Sequence, residues 1–366
     1  MRTVLVSGGG VAGPALAYWL HRHGFAVTVV ERGAGLRSGG QAVDVRGVAL
    51  EVVERMGLLS EARAVRTRMR GMSVLDPEGR EIHRSTEATY SSGRLDSDDI
   101  EVLRDDLVRL VYERTREDVE YLFGDTVTAL DEDDSCVRVD FAHAPSRVFD
   151  LVIGADGLHS TVRRLEFGPE EDFAHHLGSY LSVFSADNFL GLEDWQVWLS
   201  DGGIGFGIMP VHGNKELRVA FGFESEPLPR DPGELRRMIT EKLGSLRWEG
   251  RRLAEASRVA PDFYCDAMAQ IRMDRWSKGR IALLGDAGYC PSPLSGQGTS
   301  LALVGGHVLA GALAAAPDDH AVGFARYEER MRPFVAVNQA LATENPGGPA
   351  SEESVGRAKN AMSLDG

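Results

Sequence analysis

The chain has 366 residues, of which 43% are hydrophobic and 26% charged, and its formal net charge is −15. These proportions are typical of a globular protein with a sizeable core. The acidity argues against nucleic acid or an anionic membrane as a partner, because both attract positive surfaces. The three cysteines lack the spacing of a disulfide framework or a zinc site. With no signal segment and no apolar run of membrane-spanning length, the sequence predicts a cytoplasmic protein.

Residues 3–32 predict a strand, a glycine-rich turn, a helix and a second strand. β-Branched runs at 4–6 and 27–30 flank an apolar helical pattern over 11–20. Between them, Gly8, Gly10 and Gly13 fit G-x-G-x-x-G. The first glycine permits a tight turn, the second lets a pyrophosphate approach the backbone, and the third lets helix and strand pack closely.

Two further features of this stretch favour a dinucleotide. The helix N-terminus offers N–H groups and a positive dipole end to phosphates. Glu31 ends the second strand, near the roughly 20-residue offset of a carboxylate that binds a ribose. The stretch therefore predicts an ADP-containing dinucleotide and leaves NAD and FAD open.

Residues 33–47 are rich in glycine and arginine, and they are too polar for a core and too glycine-rich for a regular element. They form either a plain surface loop or a loop along a ligand, with arginines placed for anionic groups. A helix is expected over 48–56.

A hairpin is predicted from 72–74 and 81–83, around the turn at 76–79. The apolar stripe over 100–114 predicts a helix, with Arg104 near its start as either a surface charge or a phosphate or flavin contact.

Strands are predicted at 137–141 and 151–153, and the second runs into a Gly/Asp turn at 154–157. Such a turn suits the carboxyl edge of a parallel sheet, where α/β proteins bind ligands. Between about 167 and 271 the pattern changes to strands at 195–199, 205–209 and 217–223, with a helix over 232–246. This region predicts a mainly antiparallel sheet inserted into the first domain.

The first pattern returns at residue 280, with an apolar strand, Gly285-Asp286, a Pro/Gly loop and a long helix from about 299. An aspartate at the strand end can hydrogen-bond the hydroxyls of a ribityl or ribose chain. A last helix is expected over 320–342, followed by a frayed tail.

Four separated signals occur in one order: GGGVAG at 8–13 with Glu31, Arg104 and its neighbours, GADG at 154–157, and GDAGYCPSPLSGQG at 285–298. Together they resemble the class A flavoprotein monooxygenases, which are related to p-hydroxybenzoate hydroxylase. The GGQAVDVRG run at 39–47 is most similar to the tetracycline-degrading branch. One departure is Gly288-Tyr289, where many members have Ala-His.

The resemblance implies an α/β fold with a Rossmann-like FAD-binding domain, an inserted antiparallel substrate domain and a C-terminal helix. The expected boundaries are 1–70, 95–166 and 272–318 for the FAD-binding domain, 71–94 and 167–271 for the substrate domain, 319–345 for the C-terminal helix and 346–366 for a flexible tail.

The resemblance also implies residue roles. Glu31 would bind the adenosine ribose, Arg37 the nicotinamide cofactor, and Asp286 the ribityl region. The P-x-x-G-x-G loop would lie beside the flavin ring. The expected cofactor contacts are Gly8, Gly10, Val11, Ala12, Gly13, Glu31, Arg32, Arg37, Gly40, Asp44, Arg46, Arg104, Asp156, Asp286, Pro293, Gly296, Gln297 and Gly298.

The implied reaction uses tightly but non-covalently bound FAD, NAD(P)H and O2 to form a C4a-hydroperoxyflavin that hydroxylates an electron-rich aromatic or enolic substrate, phenolic or polyketide-like. A reductase that does not use oxygen, an epoxidase and a Baeyer–Villiger enzyme stay open as alternatives. The protein would be a monomer or a homodimer. No catalytic residue and no metal ligand is expected, since the cofactor supplies the chemistry.

The substrate is expected between the inserted sheet and the flavin loop. Its candidate contacts are apolar residues of the predicted strands, which could instead simply form the core of the sheet: Phe206, Met209, Pro210, Phe221 and Phe223.

Overall fold

The computed structural model describes residues 2–36, 39–201, 203–345 and 349–365. The helices are α1 (Ala12–Arg22), α2 (Val48–Arg55), α3 (Leu59–Ala64), α4 (Arg104–Thr115), α5 (Thr161–Glu166), α6 (Pro232–Gly244), α7 (Gly250–Val259), α8 (Asp286–Tyr289), α9 (Gly298–Ala314), α10 (His320–Glu344) and α11 (Glu352–Lys359). The strands are β1 (Thr3–Ser7), β2 (Ala26–Glu31), β3 (Ala42–Val45), β4 (Met72–Leu75), β5 (Glu81–Ser85), β6 (Ala88–Thr89), β7 (Gly93–Arg94), β8 (Ile100–Leu103), β9 (Glu120–Phe123), β10 (Val127–Glu132), β11 (Val137–Phe141), β12 (Arg147–Phe149), β13 (Leu151–Gly154), β14 (Ala174–Asp187), β15 (Gln196–Asp201), β16 (Ile204–Val211), β17 (Glu216–Glu224), β18 (Tyr264–Ile271), β19 (Ser277–Lys278) and β20 (Ile281–Leu283).

A six-stranded sheet forms the first half of the fold, in the order β19-β20-β13-β1-β2-β9. The pairs β20–β13, β13–β1, β1–β2 and β2–β9 are parallel. Their apolar runs are buried because helices cover the sheet. The helices α1 and α9 cross closely there, and a Cβ on Gly306 would lie 3.2 Å from the Leu16 nitrogen. Among the described residues, none of the helices combines the length and the hydropathy that a bilayer crossing needs.

The second large sheet has seven strands in the order β18-β14-β17-β16-β15-β4-β5. All pairs are antiparallel except β15–β4. One face packs against α6 and α7 through a core that includes Phe184, Phe221, Ile239 and Leu243. The other face turns toward the loops of the first sheet, since Met209 of β16 packs with Leu103 at the end of β8.

Several predicted elements differ from the structure. The helix predicted over 100–114 is a strand, β8, followed by α4, because Ile100–Leu103 pairs with Ala42–Val45 of the supposed loop. The longest strand, β14, was not predicted, because its register shifts between His176 and Tyr180, where Gly178 has φ +80° and breaks the alternation. The helix α7 was also not predicted.

The prediction of a flexible tail over 346–366 is wrong for the described residues 349–365. Residues 352–359 form α11, whose Ala358 carbonyl accepts a hydrogen bond from Asn338 Nδ2 at 3.1 Å. Lys359 pairs with Asp99 at 2.6 Å, and Asp99 in turn accepts from the Gly47 nitrogen. The end of the chain is thus tied to the segment that follows β3.

A candidate flavin-binding and substrate site

The carboxyl ends of four adjacent parallel strands lie side by side at one edge of the six-stranded sheet. Register pairs place Ser7 of β1 beside Val30 of β2 and Gly154 of β13, which lies beside Leu283 of β20. The glycine turn, Glu31, the GADG turn and the Gly285-Asp286 turn therefore meet at the same edge, although they are far apart in sequence.

The three glycines of the first turn have different surroundings. A Cβ on Gly8, where φ is +116°, would lie 2.3 Å from the Ala155 carbonyl oxygen of the GADG turn. A Cβ on Gly13 would overlap the Gly8 carbonyl oxygen. Around Gly10, by contrast, no described protein atom outside its chain neighbours lies within 4 Å of a Cβ. Gly8 and Gly13 are required by the fold itself, whereas Gly10 leaves the backbone open to an approaching group.

Helix α1 begins at this turn. Val11 precedes the helix and makes no side-chain cap hydrogen bond, so it satisfies none of the first-turn N–H groups through its side chain. Ala12, at the first position, packs 3.3 Å from a Cβ built on Gly285. The start of α1 is thus fixed against the Gly285-Asp286 turn.

The carboxylate of Glu31 is fixed by two backbone donors. Its Oε2 accepts from Gly9 N at 2.7 Å and its Oε1 from Gly33 N at 2.8 Å. Each oxygen keeps a further lone pair for a hydroxyl group. Arg32 is exposed beside it.

Asp156 of the GADG turn is engaged within the protein. Its Oδ2 accepts from Thr161 N at 2.8 Å and Val162 N at 3.2 Å, at the start of α5, and its Oδ1 from Ser160 Oγ. Asp156 therefore shapes the turn through its hydrogen bonds to α5.

Sequence reasoning missed Arg163, which is fully buried. Its Nη1 donates to the Ala287 carbonyl at 2.9 Å, and its Nη2 donates to the Leu158 carbonyl at 2.6 Å. Nη2 also pairs with Glu170 at 3.1 Å. Arg163 thus ties the GADG segment to the turn that contains Asp286. A buried arginine looks like any surface arginine in sequence, so no pattern marked it.

The loop after Asp286 folds back over that residue. A Cβ on Gly298, at the start of α9, would lie 3.8 Å from Asp286 Oδ1, and burial raises the pKa of Asp286. Gln297 is fully buried, and neither polar atom of its side chain has a hydrogen-bond partner among the described residues. Pro293 is exposed and begins the short 3-10 turn Pro293–Ser295, which Gly296 follows.

Strand β3 runs beside this loop. Arg46 directly follows this strand, and its backbone nitrogen donates to Ser300 Oγ at 3.1 Å. The Nη1 atom of the Arg46 side chain lies 3.6 Å from a Cβ on Gly296. Its Nη2 pairs with Asp44 Oδ2 at 2.8 Å. Burial raises the pKa of Asp44 to about 8, although Arg46 opposes the shift.

The segment before β3 contacts the start of α4. Arg104 Nη2 donates to the Gly39 carbonyl at 3.0 Å, and Arg104 Nε lies 2.6 Å from a Cβ on Gly40, where φ is +109°. The sequence prediction for Arg37 falls outside the described residues.

For Phe206, Phe221 and Phe223 the sequence leaves two roles open, a substrate pocket and the core of the sheet, and the structure agrees with the core. They lie on the covered face of the seven-stranded sheet, in the core with α6 and α7. Phe206 also stacks on Trp248 with ring centroids 6.0 Å apart. Pro210 has the same strand parity as Phe206, whereas Met209 lies on the opposite face, toward β8.

That opposite face contains polar and aromatic residues that sequence reasoning missed. Gln196, 1% exposed, donates from Nε2 to Ser91 Oγ at 2.7 Å and accepts from Trp198 Nε1 at 2.9 Å. Trp198 covers Gly207, whose Cβ would lie 2.7 Å from the indole ring. The period-2 alternation of the strands indicates two faces, but not which one the helices cover.

These observations fit FAD. The open backbone at Gly10, the uncapped start of α1 and the fixed Glu31 carboxylate suit a pyrophosphate and a ribose. The unpartnered Gln297 amide and the Arg46 Nε, which also lacks a partner among the described residues, mark a polar surface around the second loop.

Comparison with known proteins agrees with this geometry. The model of a family described as FAD binding domain matches residues 1–340. The chain belongs to this family. A flavin-dependent monooxygenase of Legionella longbeachae is 38% identical over 339 residues, covering 92% of this chain and 86% of the relative. The uncharacterized protein Rv1260 of Mycobacterium tuberculosis is 51% identical over 369 residues, covering 100% and 99%.

Among solved structures, the tetracycline destructase Tet(51) aligns with a TM-score of 0.87 at 36% identity, over 99% of this chain and 95% of that one. The family resemblance and the mixed α/β fold expected from the four motifs are confirmed. The protein is an FAD-dependent monooxygenase of this family.

Proposed function

We propose that this monooxygenase hydroxylates an electron-rich aromatic or enolic small molecule, phenolic or polyketide-like, that lies on the cofactor-facing side of the seven-stranded sheet. NAD(P)H would supply the electrons and O2 the oxygen atom. When bound, FAD supplies the oxygen chemistry. The protein's own tasks are to hold the flavin, to position the substrate and to exclude water.

One row of residues across the sheet supports this proposal. Paired positions run from Trp198 to Gly207, Ala220, Val183 and Tyr264. Aromatic residues stand at both ends and small or β-branched ones lie between them. Four strand spacings separate the ends, about 19 Å, which is wide enough for several fused rings. The solved structure Tet(51) is named a tetracycline destructase, which is consistent with a multi-ring substrate.

The geometry of the sheet edge supports a set of FAD contacts. Gly10 and the first turn of α1 would face the pyrophosphate and Glu31 the ribose. Asp286 and the Gly296–Gly298 loop would face the ribityl chain and the flavin ring. Asp156 and Arg163 would act as positioning residues behind these contacts. The domain boundaries, the cytoplasmic location and the oligomeric state stay predictions.

The first test is spectroscopic. The purified protein should show flavin absorbance that bleaches with NADPH without air and returns when air is admitted. Phenols and tetracyclines are then screened for oxygen uptake and for a product heavier by one oxygen atom. Bleaching without oxygen uptake with any substrate would instead favour a reductase.

A variant tests where the substrate lies. Ala220→Phe fills the middle of the row and should weaken substrate binding at least tenfold while FAD stays bound. Thr128→Phe, on an exposed position of the three-stranded sheet, serves as the control. Equal substrate affinity in both variants would contradict the proposed location.

A further inference from the structure

His159 joins the GADG segment of the six-stranded sheet to the seven-stranded sheet. It lies between the GADG turn and α5, and each nitrogen of its ring faces a carboxylate. Its Nε2 lies 2.8 Å from Oδ2 of Asp266, a residue of β18. Its Nδ1 lies 3.1 Å from Oε1 and 3.0 Å from Oε2 of Glu170, which follows α5.

This geometry requires the charged form of the ring. A neutral imidazole has one N–H, so it can donate to only one of the two carboxylates and turns a lone pair toward the other. Burial opposes ionisation of Glu170, but hydrogen bonds from His159 and Arg230 lower its pKa to about 2. Burial likewise opposes ionisation of Asp266, and His159 lowers the pKa of that residue. Burial lowers the pKa of His159 itself, but Asp266 and Glu170 together raise it to about 9.

The two carboxylates depend on His159 to different degrees. Glu170 also pairs with Arg163, whose Nη2 lies 3.1 Å away, and with Arg230 from the loop before α6. Glu170 therefore keeps two guanidinium partners when His159 loses its charge. Asp266 has no second cation in an ion pair within the part of the chain that the structure describes.

The loss of this charge would act on β18. Asp266 also accepts from the Tyr264 hydroxyl at 3.1 Å, but that bond stays within the strand. At the other end of β18, the Ile271 nitrogen donates to the Cys290 carbonyl at 3.1 Å, a backbone bond that no change of charge removes. With a neutral His159, β18 would stay anchored beside Cys290 and lose its ionic contact at Asp266.

We propose that His159 is a positioning residue that holds β18 against the GADG segment, and that it does so only as the imidazolium. The cluster extends to the proposed flavin contacts, because Arg163 donates to the Ala287 carbonyl beside Asp286. The His159 side chain is 32% exposed, so the ring can exchange its proton with solvent. The inference goes beyond the proposed function, since it needs bound FAD but no particular position of the substrate.

The charge is tested by NMR on the FAD-loaded protein with 13C-labelled histidine. The ring signal of His159, identified by its absence in His159→Gln, should titrate with a midpoint near pH 9 in wild type. Asp266→Asn should lower this midpoint, because it removes one of the two carboxylates that stabilise the imidazolium. A wild-type midpoint at or below the usual 6.5, or the same midpoint in Asp266→Asn, would overturn the inference.

The positioning role is tested by the FAD dissociation constants of wild type and His159→Gln, measured by flavin fluorescence at pH 7 and pH 10. At pH 7 the variant should bind FAD at least about threefold more weakly, as expected when a hydrogen-bonded contact is lost. At pH 10 His159 is neutral in wild type as well, so the two constants should converge. A purely structural defect would persist, so an equal difference at both pH values would overturn the inference. His159→Asn repeats the test if His159→Gln does not fold.

His21→Gln is the matched control. His21 of α1 lies 3.7 Å from Asp118, and both side chains are largely exposed, so this histidine–carboxylate pair joins no part of the seven-stranded sheet. Its FAD dissociation constant should equal that of wild type at both pH values. An effect as large as that of His159→Gln would refute the positioning role. Such a failure leaves the proposed function intact, because oxygen uptake and substrate binding test that function.

Discussion

Gly13 packs so closely against Gly8 that a Cβ on Gly13 would lie 1.9 Å from the Gly8 carbonyl oxygen. No rotamer change relieves such an overlap, since both partners are backbone. Gly13→Ala should therefore disturb the β1–α1 crossing, lower the thermal midpoint of the flavin-free protein and reduce FAD binding as a consequence.

Gly10→Ala separates folding from flavin binding. No described atom outside its chain neighbours lies within 4 Å of a Cβ there, so the flavin-free protein should unfold at the wild-type temperature. Its FAD dissociation constant should nevertheless rise at least tenfold, because the methyl group stands where a pyrophosphate would approach. Titration by flavin fluorescence measures this. Wild-type FAD affinity in Gly10→Ala would remove this turn from the cofactor site.

The buried Asp44 should make stability depend on pH. Its pKa is 3.8 ordinarily and about 8 in the fold, chiefly through burial. Between these values the folded state binds more protons than the unfolded state, so this contribution to stability falls as pH rises from about 4 to about 8. Asp44→Asn cannot titrate. The unfolding free energy of this variant, measured relative to wild type, should therefore rise by up to a few kcal/mol as pH increases from about 4 to about 8. Denaturant titrations at both ends of the range test this, and a constant difference between the two proteins would contradict it.

Arg163 and its neighbour Arg164 form a natural pair for comparison. Arg163→Met removes the donors to the Ala287 and Leu158 carbonyls and leaves Glu170 with one fewer cation. The substitution should lower the free energy of unfolding by about 3 kcal/mol. It should also weaken FAD binding, because the turn that contains Asp286 loses its contact with Arg163. Arg164 is exposed, so Arg164→Met should change neither property. Equal effects of the two variants on FAD affinity would refute the positioning role of Arg163.

The Tyr289 side chain packs against Gly305 of α9. Its hydroxyl lies 2.3 Å from a Cβ on Gly305 and hydrogen-bonds with Tyr327 at 3.0 Å. Gly305→Ala should destabilise the protein by about 1–3 kcal/mol, and by less when Tyr289→Phe removes the hydroxyl. A double-mutant cycle from thermal unfolding measures this coupling. Additive effects would assign the cost to Leu284, whose side chain lies 2.9 Å from the same Cβ.

The sequence patterns correctly predicted the elements that depend only on residues adjacent in the chain. The first strand, the glycine turn and α1 follow from residues adjacent in sequence, as does the strand before Gly285. Their carboxyl-edge positions also follow, since consecutive parallel strands end at one edge.

The rest depends on partners distant in sequence. Residues 100–103 have helical spacing but pair with 42–45, and tertiary pairing overrides the local pattern. Phe206 and Phe221 look like pocket residues until α6 and α7 cover their face. The Gln196–Ser91 hydrogen bond likewise joins segments that no spacing connects.

The strand order also determines when, during synthesis of the chain, the sheet edge with the proposed flavin contacts is complete. In the order β20-β13-β1-β2, β1 and β2 come from the start of the chain, whereas β20 and the Asp286 turn are synthesised only after the entire seven-stranded sheet. A nascent chain holding β1, β2 and β13 has the turn proposed to face the pyrophosphate but lacks the turn proposed to face the ribityl chain. Such non-local pairings also form slowly. We therefore expect flavin capture to be a late step in the maturation of this protein, and a polypeptide released before β20 to stay without its cofactor.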